Sequence, residues 1–502
     1  MALYEFLDIP IIIQLYDIQK FFDKENLRDV MDTLHDIGVE PKMYRTWFQL
    51  NKNTTIRVKT ANGFTKWRNV GELLGQGSGG GAMASAANLD RGVDSYFSGS
   101  MDEAMYGPIR LQPLLFMDDL ARITTSRNKA EVGNVKLDCL MNTKQLELHP
   151  DKTGFIIMGK GEARQKMEKE VIENPIMCGS FSTPRKTKDK WLGDLFHEDG
   201  LSASVNATIL ERTPRAKAAM FEIKGIIEDF RSQCIGGTTG ALDLWELSVL
   251  PMLLNNSSTW TQISDDSIEL LEELQNMFVR LLMHLPVSTP KPVLTFDTGL
   301  LSMRHRIMAA KLNLAFYLRF CGDGHLASQV YSEQVRRGWP GLSQEVAIIC
   351  EELGIQNVNL LREKEISLNT WKSIVRKAVW KHNEIMLKDK IVNNYEKLQD
   401  LKNDNFGRKD YLSSKSIDNC RMMMRMRSKM VNVKENFKNM YKNRRNGLSC
   451  DSCQSQEVES QSHVLLCPAY DKLRDGLDLA KQDDLIRYYR EVLAYGDKKD
   501  NK

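Results

Sequence analysis

The sequence lacks the features that mark membrane and secreted proteins. Its two most apolar runs, Ile9 to Leu15 and Leu247 to Leu254, are far too short to cross a bilayer. No basic region precedes the first apolar stretch, and Glu5 and Asp8 interrupt it, so the N-terminus does not read as a signal peptide. We therefore expect no membrane partner and an intracellular protein, cytoplasmic or nuclear or both, that is not secreted.

Cysteine is sparse, and its pattern argues against disulfides. Nine cysteines, an odd number, are scattered along the chain and do not form a disulfide framework. Near the C-terminus, however, Cys450, Cys453, His463 and Cys467 have the tight first pair that is typical of structural zinc. These four ligands would complete a tetrahedral shell and leave no open position for catalysis. We predict one structural Zn²⁺ here; chance clustering of reduced cysteines fits the paired spacing less well.

The net charge of +3 conceals a strong asymmetry along the chain. Residues 361–449 carry 22 Lys/Arg against 10 Asp/Glu, a local net charge of +12 that leaves −9 for the remainder. Such a distribution is typical of a polyanion-binding region, although a solvated helical face is the competing interpretation. The predicted nucleic-acid-binding residues are Arg421, Arg425, Arg427, Lys429, Lys438, Lys442, Arg444 and Arg445.

The order of apolar segments predicts a mixed region followed by a helical one. Three short apolar runs read as strands: Ile9 to Tyr16, Leu111 to Phe116 and Phe155 to Met158. A glycine-rich segment at 75–81 precedes a helix of small residues. From about residue 213 apolar side chains recur at helical spacing, and the methionines of 422–430 form a packing stripe.

Two of the strand candidates end in acids. Asp17 follows the first strand, and Asp118 and Asp119 follow the second. Nucleotidyl transfer uses two divalent cations, and Mg²⁺ prefers oxygen ligands, so carboxylates on adjacent strands suit such a site. For an isolated Asp-Asp, a simple turn after a strand is the better explanation. The decision rests on whether further segments occur in the order that a polymerase requires.

Five segments occur in that order. Through them the chain resembles the reverse transcriptases of non-LTR (LINE-like) retrotransposons. Asp17 is followed five residues later by the aromatic Phe22, and an aromatic-x-Asp-Asp segment comes later in the chain. The matching segments are Tyr16 to Phe22, Gly75-Gln76-Gly77, Phe116-Met117-Asp118-Asp119, Leu148 to Thr153, and Trp191-Leu192-Gly193-Asp194. The likeness extends over almost the whole chain.

The resemblance implies a role for each matching residue. Asp17, Asp118 and Asp119 would be the catalytic ligands of two Mg²⁺ ions. Phe22 would exclude the ribose 2′-hydroxyl and so select deoxynucleoside triphosphates. Lys152 would lie near the triphosphate, although a plain surface lysine is almost as good an interpretation. Gln76 and Gly77 would line the nucleotide and template pocket. The implied partners are an RNA template and a DNA primer or target.

The resemblance also implies a fold and a set of domains. We expect an α+β polymerase palm (an antiparallel sheet with helices), then a mainly α-helical thumb and C-terminal region that ends in a small zinc-knuckle-like element. The expected domains are the palm at 1–205, a thumb-like region at 206–356, a basic helical region at 357–445 and the zinc element and tail at 446–502.

Three functional hypotheses follow. The first is an RNA-directed DNA polymerase; because Asp17 lies so near Met1, we expect a chain truncated before the fingers, with little activity alone. The second is a catalytically inactive nucleic-acid-binding remnant that uses the basic region and the zinc element. The third is a helical interaction scaffold, suggested by 213–356.

Overall fold

A four-stranded antiparallel sheet organises the N-terminal part of the chain. Its strands are β1 (Ile11–Asp17), β2 (Leu114–Phe116), β3 (Asp119–Thr124) and β4 (Gly154–Met158), in the spatial order β4-β1-β3-β2. The isoleucines of β1 are buried on both faces, which is where β-branched side chains fit best. The three predicted strands are therefore present with slightly shifted ends, whereas β3 was not predicted.

The structure is a computed structural model that describes residues 1–71, 80–229, 237–322, 324–361, 366–414, 416–441, 447–453 and 455–500. It is a mainly helical α+β protein with small antiparallel sheets and a Cys₃His cluster near its C-terminus. This agrees with the predicted fold class at that level of detail.

The two faces of the sheet pack against different elements. On one face, Tyr16 and Leu120 contact the helices Gly81–Phe97 and Arg127–Lys144. On the other, Leu15 and Ala121 pack with Tyr4 and with the Trp191 and Phe196 side chains of a hairpin. Because side chains alternate along a strand, Asp17 and Asp119 lie on this second face.

Short helices and hairpins surround the sheet. The segment Trp191-Leu192-Gly193-Asp194 forms the turn of a hairpin. Its strands Lys188–Trp191 and Asp194–His197 are joined by Leu192 and Gly193, both at positive φ, as a two-residue type I′ turn requires. The remaining paired strands are Thr54–Ile56 with Arg68–Gly71, Lys59–Thr60 with Gly63–Phe64, Met105–Tyr106 with Ile109–Arg110, and Met177–Cys178 with Phe181–Ser182. The other helices of this part are Ala2–Phe6, Phe21–Lys24, Leu27–Asp36, Pro41–Asn51 and Gly161–Glu173.

The remainder of the described chain is helical. The apolar stripes predicted here are confirmed, with Leu271, Leu274 and Phe278 buried on one helix and Met308 and Leu312 on another. The longer helices are Leu201–Asp229, Asp265–Met283, Met303–Phe320, Leu326–Arg337, Leu342–Glu352, Leu368–Asn394, Ile417–Arg427 and Gln482–Asp500. The shorter ones are Gly237–Leu244, Leu250–Leu254, Lys291–Thr298, Lys438–Tyr441, Gln461–Leu466 and Asp471–Arg474, and a π-helical turn spans Trp245–Val249. Short 3₁₀ segments lie at Ser257–Thr259, Val358–Leu360, Glu396–Asn403, Asp410–Ser413, Lys434–Phe437 and Pro468–Tyr470.

Hydrophobic cores cross the domain boundaries that the sequence suggested. Trp371 and Val375, from the predicted basic region, pack with Phe316 and Tyr331 of the preceding region. The methionine stripe is confirmed as packing: Met424 enters the large helical core, whereas Met422 and Met426 enter the core of the C-terminal element. The helix Ile417–Arg427 is thus shared between two cores. The predicted division at 356/357 does not coincide with a gap in packing.

None of the described helices is both long and apolar enough to span a membrane.

Candidate active site and metal cluster

Two of the predicted catalytic acids face each other across the sheet. Asp17, the last residue of β1, is the direct partner of Asp119, the first residue of β3. Residues that pair in this way have Cβ atoms about 4.5–5.5 Å apart on the same face. Strand pairing therefore fixes the spacing of these two carboxylates, although 101 residues of sequence separate them.

The third acid lies in the turn that precedes β3. Phe116 pairs with Asp119, so Met117 and Asp118 alone form the loop between β2 and β3. Met117 has a φ of 57°, a left-handed conformation that costs a non-glycine residue about 1–2 kcal/mol. This tight turn places Asp118 beside the paired acids. Residues in such conformations are concentrated at functional sites.

Backbone hydrogen bonds attach the segment around Lys152 to the end of β1. The His149 amide donates to the Asp17 carbonyl at 2.8 Å, and the Thr153 amide donates to the His149 carbonyl at 2.9 Å. The resulting turn brings Lys152 Nζ to 3.4 Å from Asp17 Oδ2. The Lys152 side chain is 62% exposed, which leaves its ammonium group accessible to a ligand.

A cavity of about 330 Å³ opens between these segments. Phe22 lies at its edge on a helix whose preceding residue, Lys20, also has a positive φ. The Phe22 ring is half-buried and lies 5.2 Å from the buried Phe21 ring, so core packing holds it in place. The cavity is lined by Asp17, Ile18, Gln19, Lys20, Phe21, Phe22, Asp118, His149 and Lys152. Four of the predicted site residues therefore share one cavity.

The electrostatics of the site favour a cation. Desolvation, together with the neighbouring Asp118 and Asp17 carboxylates, raises the pKa of Asp119, and Lys152 only partly opposes this shift. Uncompensated like charges are costly, and a bound divalent cation relieves them. Three carboxylates at the end of one strand pair are the hard oxygen donors that Mg²⁺ takes, so the residues fit the predicted metal.

Two predicted nucleotide-pocket residues, Gln76 and Gly77, lie outside the described residues. The helix that was predicted to follow them is present and begins at Gly81.

A buried polar network behind the site was not predicted. Arg122 on β3 is fully buried and donates to Glu103 at 2.9 Å and to Gln14 of β1 at 3.3 Å. Asn134 Oδ1 accepts hydrogen bonds from both Gln14, at 2.8 Å, and Tyr16, at 2.6 Å. This network cross-links the two strands that carry Asp17 and Asp119. The sequence feature that indicates this network is a polar residue between apolar neighbours on each strand: Gln14 on β1 and Arg122 on β3.

The four predicted zinc ligands converge. The donor atoms of Cys450, Cys453, His463 and Cys467 all lie within 4.8 Å of one another, and Cys450 and Cys467 are buried. Cys453 Sγ is 3.4 Å from His463 Nε2, and the Cys450 and Cys467 sulfurs are 4.0 Å apart. Three thiols and one imidazole at these separations match a closed tetrahedral zinc site, so the cluster can hold Zn²⁺.

A carboxylate orients the histidine of this cluster. His463 Nδ1 lies 2.6 Å from Glu457 Oε2, which leaves Nε2 directed at the cysteines. Such carboxylate–histidine pairs fix the tautomer of metal-binding imidazoles. Burial raises the pKa of Cys450 and raises that of Cys467 to about 12, so a metal is needed to bring these thiols into their thiolate form. Glu457 was not predicted as part of the site.

The predicted phosphate-binding residues divide into three groups. Arg421 is buried and pairs with Glu228 at 2.6 Å, and Arg427 pairs with the buried Asp297, also at 2.6 Å. Arg425 donates to the His284 carbonyl, and Lys429 pairs with Asp400. Lys438 is exposed. Lys442, Arg444 and Arg445 lie outside the described residues. Arg421 and Arg427 are thus engaged in ion pairs within the chain.

Comparison with known proteins gives no family assignment. No family model and no curated protein matches the chain. Solved structures similar to it include telomerase from Candida albicans (12% identity, TM-score 0.27) and from Candida Tropicalis (10% identity, TM-score 0.27), each in complex with the TWJ fragment of telomeric RNA. The matches cover 60% and 64% of this chain and 47% and 49% of those chains, about half of their length.

Proposed function

We propose that the protein is an RNA-directed DNA polymerase of the non-LTR retrotransposon type. The observation that carries this proposal is the meeting of Asp17, Asp118 and Asp119 at one end of the β1–β3 pair, beside a cavity that also contains Lys152 and Phe22. The order of the five sequence segments supports the retrotransposon type, since it resembles that of LINE-like reverse transcriptases.

In the proposed reaction the primer 3′-hydroxyl attacks the α-phosphorus of a deoxynucleoside triphosphate, and pyrophosphate leaves. Two Mg²⁺ ions held by the three aspartates would supply activation of the hydroxyl and stabilisation of the leaving group. Asp17 and Asp119 fix the spacing of the ligand set through strand pairing, and Asp118 adds a ligand from the turn. Most of the catalysis in phosphoryl transfer comes from such fixed charges.

Two further residues would position the nucleotide. Lys152 is within reach of Asp17 and largely exposed, so its ammonium can neutralise phosphate charge at the same edge. Phe22 is held by Phe21 at the rim of the cavity, where its ring can exclude a ribose 2′-hydroxyl. Gln76 and Gly77 complete the pocket in this proposal.

The C-terminal part would hold the nucleic acid. In this proposal the zinc cluster folds the element at 446–502, and the exposed Lys438, with Lys442, Arg444 and Arg445, contacts phosphates. Lys438 lines a cavity of about 570 Å³ together with Lys397 and Lys429. Arg421 and Arg427 instead contribute to packing, because their partners are carboxylates of the same chain.

Replacement of Asp118 and Asp119 separates this function from that of an inactive nucleic-acid-binding protein. We expect the Asp118→Asn/Asp119→Asn variant to lose primer extension on an RNA template and to bind the same primer–template as tightly as the wild type. Asp36→Asn, which removes an exposed carboxylate paired with Arg91, is the matched control and should retain extension. Equal extension by both variants would contradict the proposal.

A further inference from the structure

The segment between β1 and the helix Gly81–Phe97 carries a charge pattern that the proposed polymerase site does not use. Residues 41–71, here called the basic arm, contain seven Lys/Arg and no Asp or Glu. The arm consists of the helix Pro41–Asn51 and a hairpin built from the strand pairs Thr54–Ile56 with Arg68–Gly71 and Lys59–Thr60 with Gly63–Phe64.

All the cations of the arm are available to a partner. Each of the seven is exposed, and within the described part of the chain none of them forms an ion pair. Asp36, which precedes the arm, forms its ion pairs with His35 and Arg91 instead. The seven are Lys42, Arg45, Lys52, Arg57, Lys59, Lys66 and Arg68. Mutual repulsion of so many unpaired cations is relieved by a polyanion, and charge complementarity therefore points to one.

The hairpin also presents an exposed aromatic stack. The Arg57 guanidinium lies 4.1 Å from the Phe64 ring centroid and 4.7 Å from that of Trp67. Phe64 and Trp67 are 57% and 61% exposed, so both residues remain largely open to solvent. Exposed aromatic rings beside arginine are the side chains on which unpaired bases stack, whatever their sequence.

The arm is fixed at its base and free at its tip. Tyr44, Trp47 and Phe48 pack against the core formed by the helix Leu27–Asp36, whereas no residue of Pro41–Asn51 is fully buried. A Cβ atom on Gly80 would lie 2.6 Å from the Trp47 ring, so the base of the arm touches the start of the helix Gly81–Phe97. In the sequence, Gln76 and Gly77 lie between the arm and that helix. The arm is therefore attached to the protein through the helix Leu27–Asp36 and the start of the helix Gly81–Phe97.

We propose that the basic arm binds single-stranded nucleic acid. The lysines and arginines contact phosphates, and Phe64, Arg57 and Trp67 form a platform for bases. A membrane surface fits less well, because the aromatic face of the helix is already packed against the protein. The proposal deepens the proposed function by adding a strand-binding surface. Binding needs no chemistry at Asp118 or Asp119, so the two proposals can fail separately.

Fluorescence anisotropy of the full chain with a labelled 20-nucleotide oligo(dT) or oligo(U) tests the arm. We expect Phe64→Ala/Trp67→Ala to weaken binding about tenfold or more with little change in salt dependence, because no cation is removed. Lys59→Ala/Lys66→Ala/Arg68→Ala should reduce the log–log salt slope by about 2, at roughly 0.7 per lost phosphate contact. Circular dichroism should show unchanged folding, because all five side chains are exposed.

A matched triple variant controls for the loss of charge. Lys169→Ala/Lys481→Ala/Arg487→Ala removes three exposed cations that each pair with an acid on their own segment, and it should bind as the wild type does. Photo-crosslinking of a 5-iodouracil oligonucleotide should place adducts on Phe64 or Trp67.

Several results would overturn the inference. Unchanged oligonucleotide binding by both arm variants would do so, as would crosslinks confined to residues outside 41–71. Failure of the wild-type chain to bind either oligonucleotide would also overturn it. If the arm variants lost binding only to vesicles of phosphatidylcholine and phosphatidylserine, the arm would be a membrane surface instead.

Discussion

Asp17 is paired with Asp119 across two adjacent strands, so backbone hydrogen bonding brings together carboxylates that are far apart in sequence. The pairing places two negative charges on one partly exposed face, where desolvation and the neighbouring acids raise the pKa of Asp119. A fold gains no stability from such an arrangement. In the proposed function the two acids hold cations, and this relationship is the basis of the proposed mechanism.

Replacing Asp119 should therefore weaken metal binding and increase the free energy of unfolding. We expect Asp119→Asn to weaken Mn²⁺ binding at least about tenfold, because a charged ligand is lost. In EDTA the same variant should be more stable to urea by about a few tenths of a kcal/mol, since repulsion is removed from a solvent-screened site. Calorimetric titration and urea unfolding measure the two effects. A variant that binds Mn²⁺ as the wild type does would show that Asp119 is not a ligand.

Shortening Phe22 should relax the choice of sugar. We expect Phe22→Val to raise incorporation of ribonucleotides relative to deoxyribonucleotides by roughly tenfold or more, because the ring no longer fills the space of a 2′-hydroxyl. Competition assays with matched nucleotide pairs give the ratio. Phe221→Val is the matched control, since Phe221 is exposed on the helix Leu201–Asp229 and does not line this cavity. An unchanged ratio in Phe22→Val would remove Phe22 from the selection of substrate.

Loss of a cysteine ligand should release zinc and loosen the C-terminal element. We expect one Zn²⁺ per chain in the wild type and less in Cys467→Ser, measured with a chromogenic chelator. The element shares its core with Met422 and Met426, so its proteolytic protection should fall as well. Cys139→Ser, an exposed cysteine outside the cluster, should keep its zinc. A wild-type protein purified without chelators that contains no zinc would contradict the assignment.

The contributions of Arg122 and Glu103, the buried ion pair behind the site, to the free energy of unfolding should be coupled. We expect Arg122→Met to cost about 3–5 kcal/mol of unfolding free energy, because Glu103 is left as an uncompensated buried charge. Arg122→Met/Glu103→Leu should recover much of this loss, since a well-packed apolar pair is tolerated in such positions. Denaturant unfolding of the two variants measures the difference. Additive losses in the double variant would contradict a coupled pair.

The sequence predicted the local features of this protein better than its long-range ones. β1 and the zinc ligands were predictable because a buried β-branched run and a fixed Cys/His spacing are local patterns. β3 was missed because Asp119 to Thr124 mixes polar and apolar residues, and its strand character depends on pairing with β1 and β2.

The roles of the basic residues also depend on long-range contacts that the sequence pattern does not reveal. Arg421 and Arg427 were predicted as phosphate ligands, but long-range partners, Glu228 and Asp297, hold them within the chain. Charge counting cannot distinguish a free cation from a paired one. The basic arm was overlooked, although a run of 31 residues without an acid can be read directly from residues 41–71. The exposure of Trp67 and Phe64, however, depends on the tertiary structure and cannot be read from the sequence.

The most direct test of the polymerase proposal is single-nucleotide addition to a DNA primer on an RNA template by the wild-type chain. With Mg²⁺ or Mn²⁺ and the complementary deoxynucleoside triphosphate, we expect extension by one nucleotide, at whatever rate, that EDTA abolishes and that Asp118→Asn/Asp119→Asn lacks. Calcium, which suits the same oxygen ligands with looser geometry, should support binding but little addition. Absence of any metal-dependent addition by a folded chain that binds the primer–template would contradict the account.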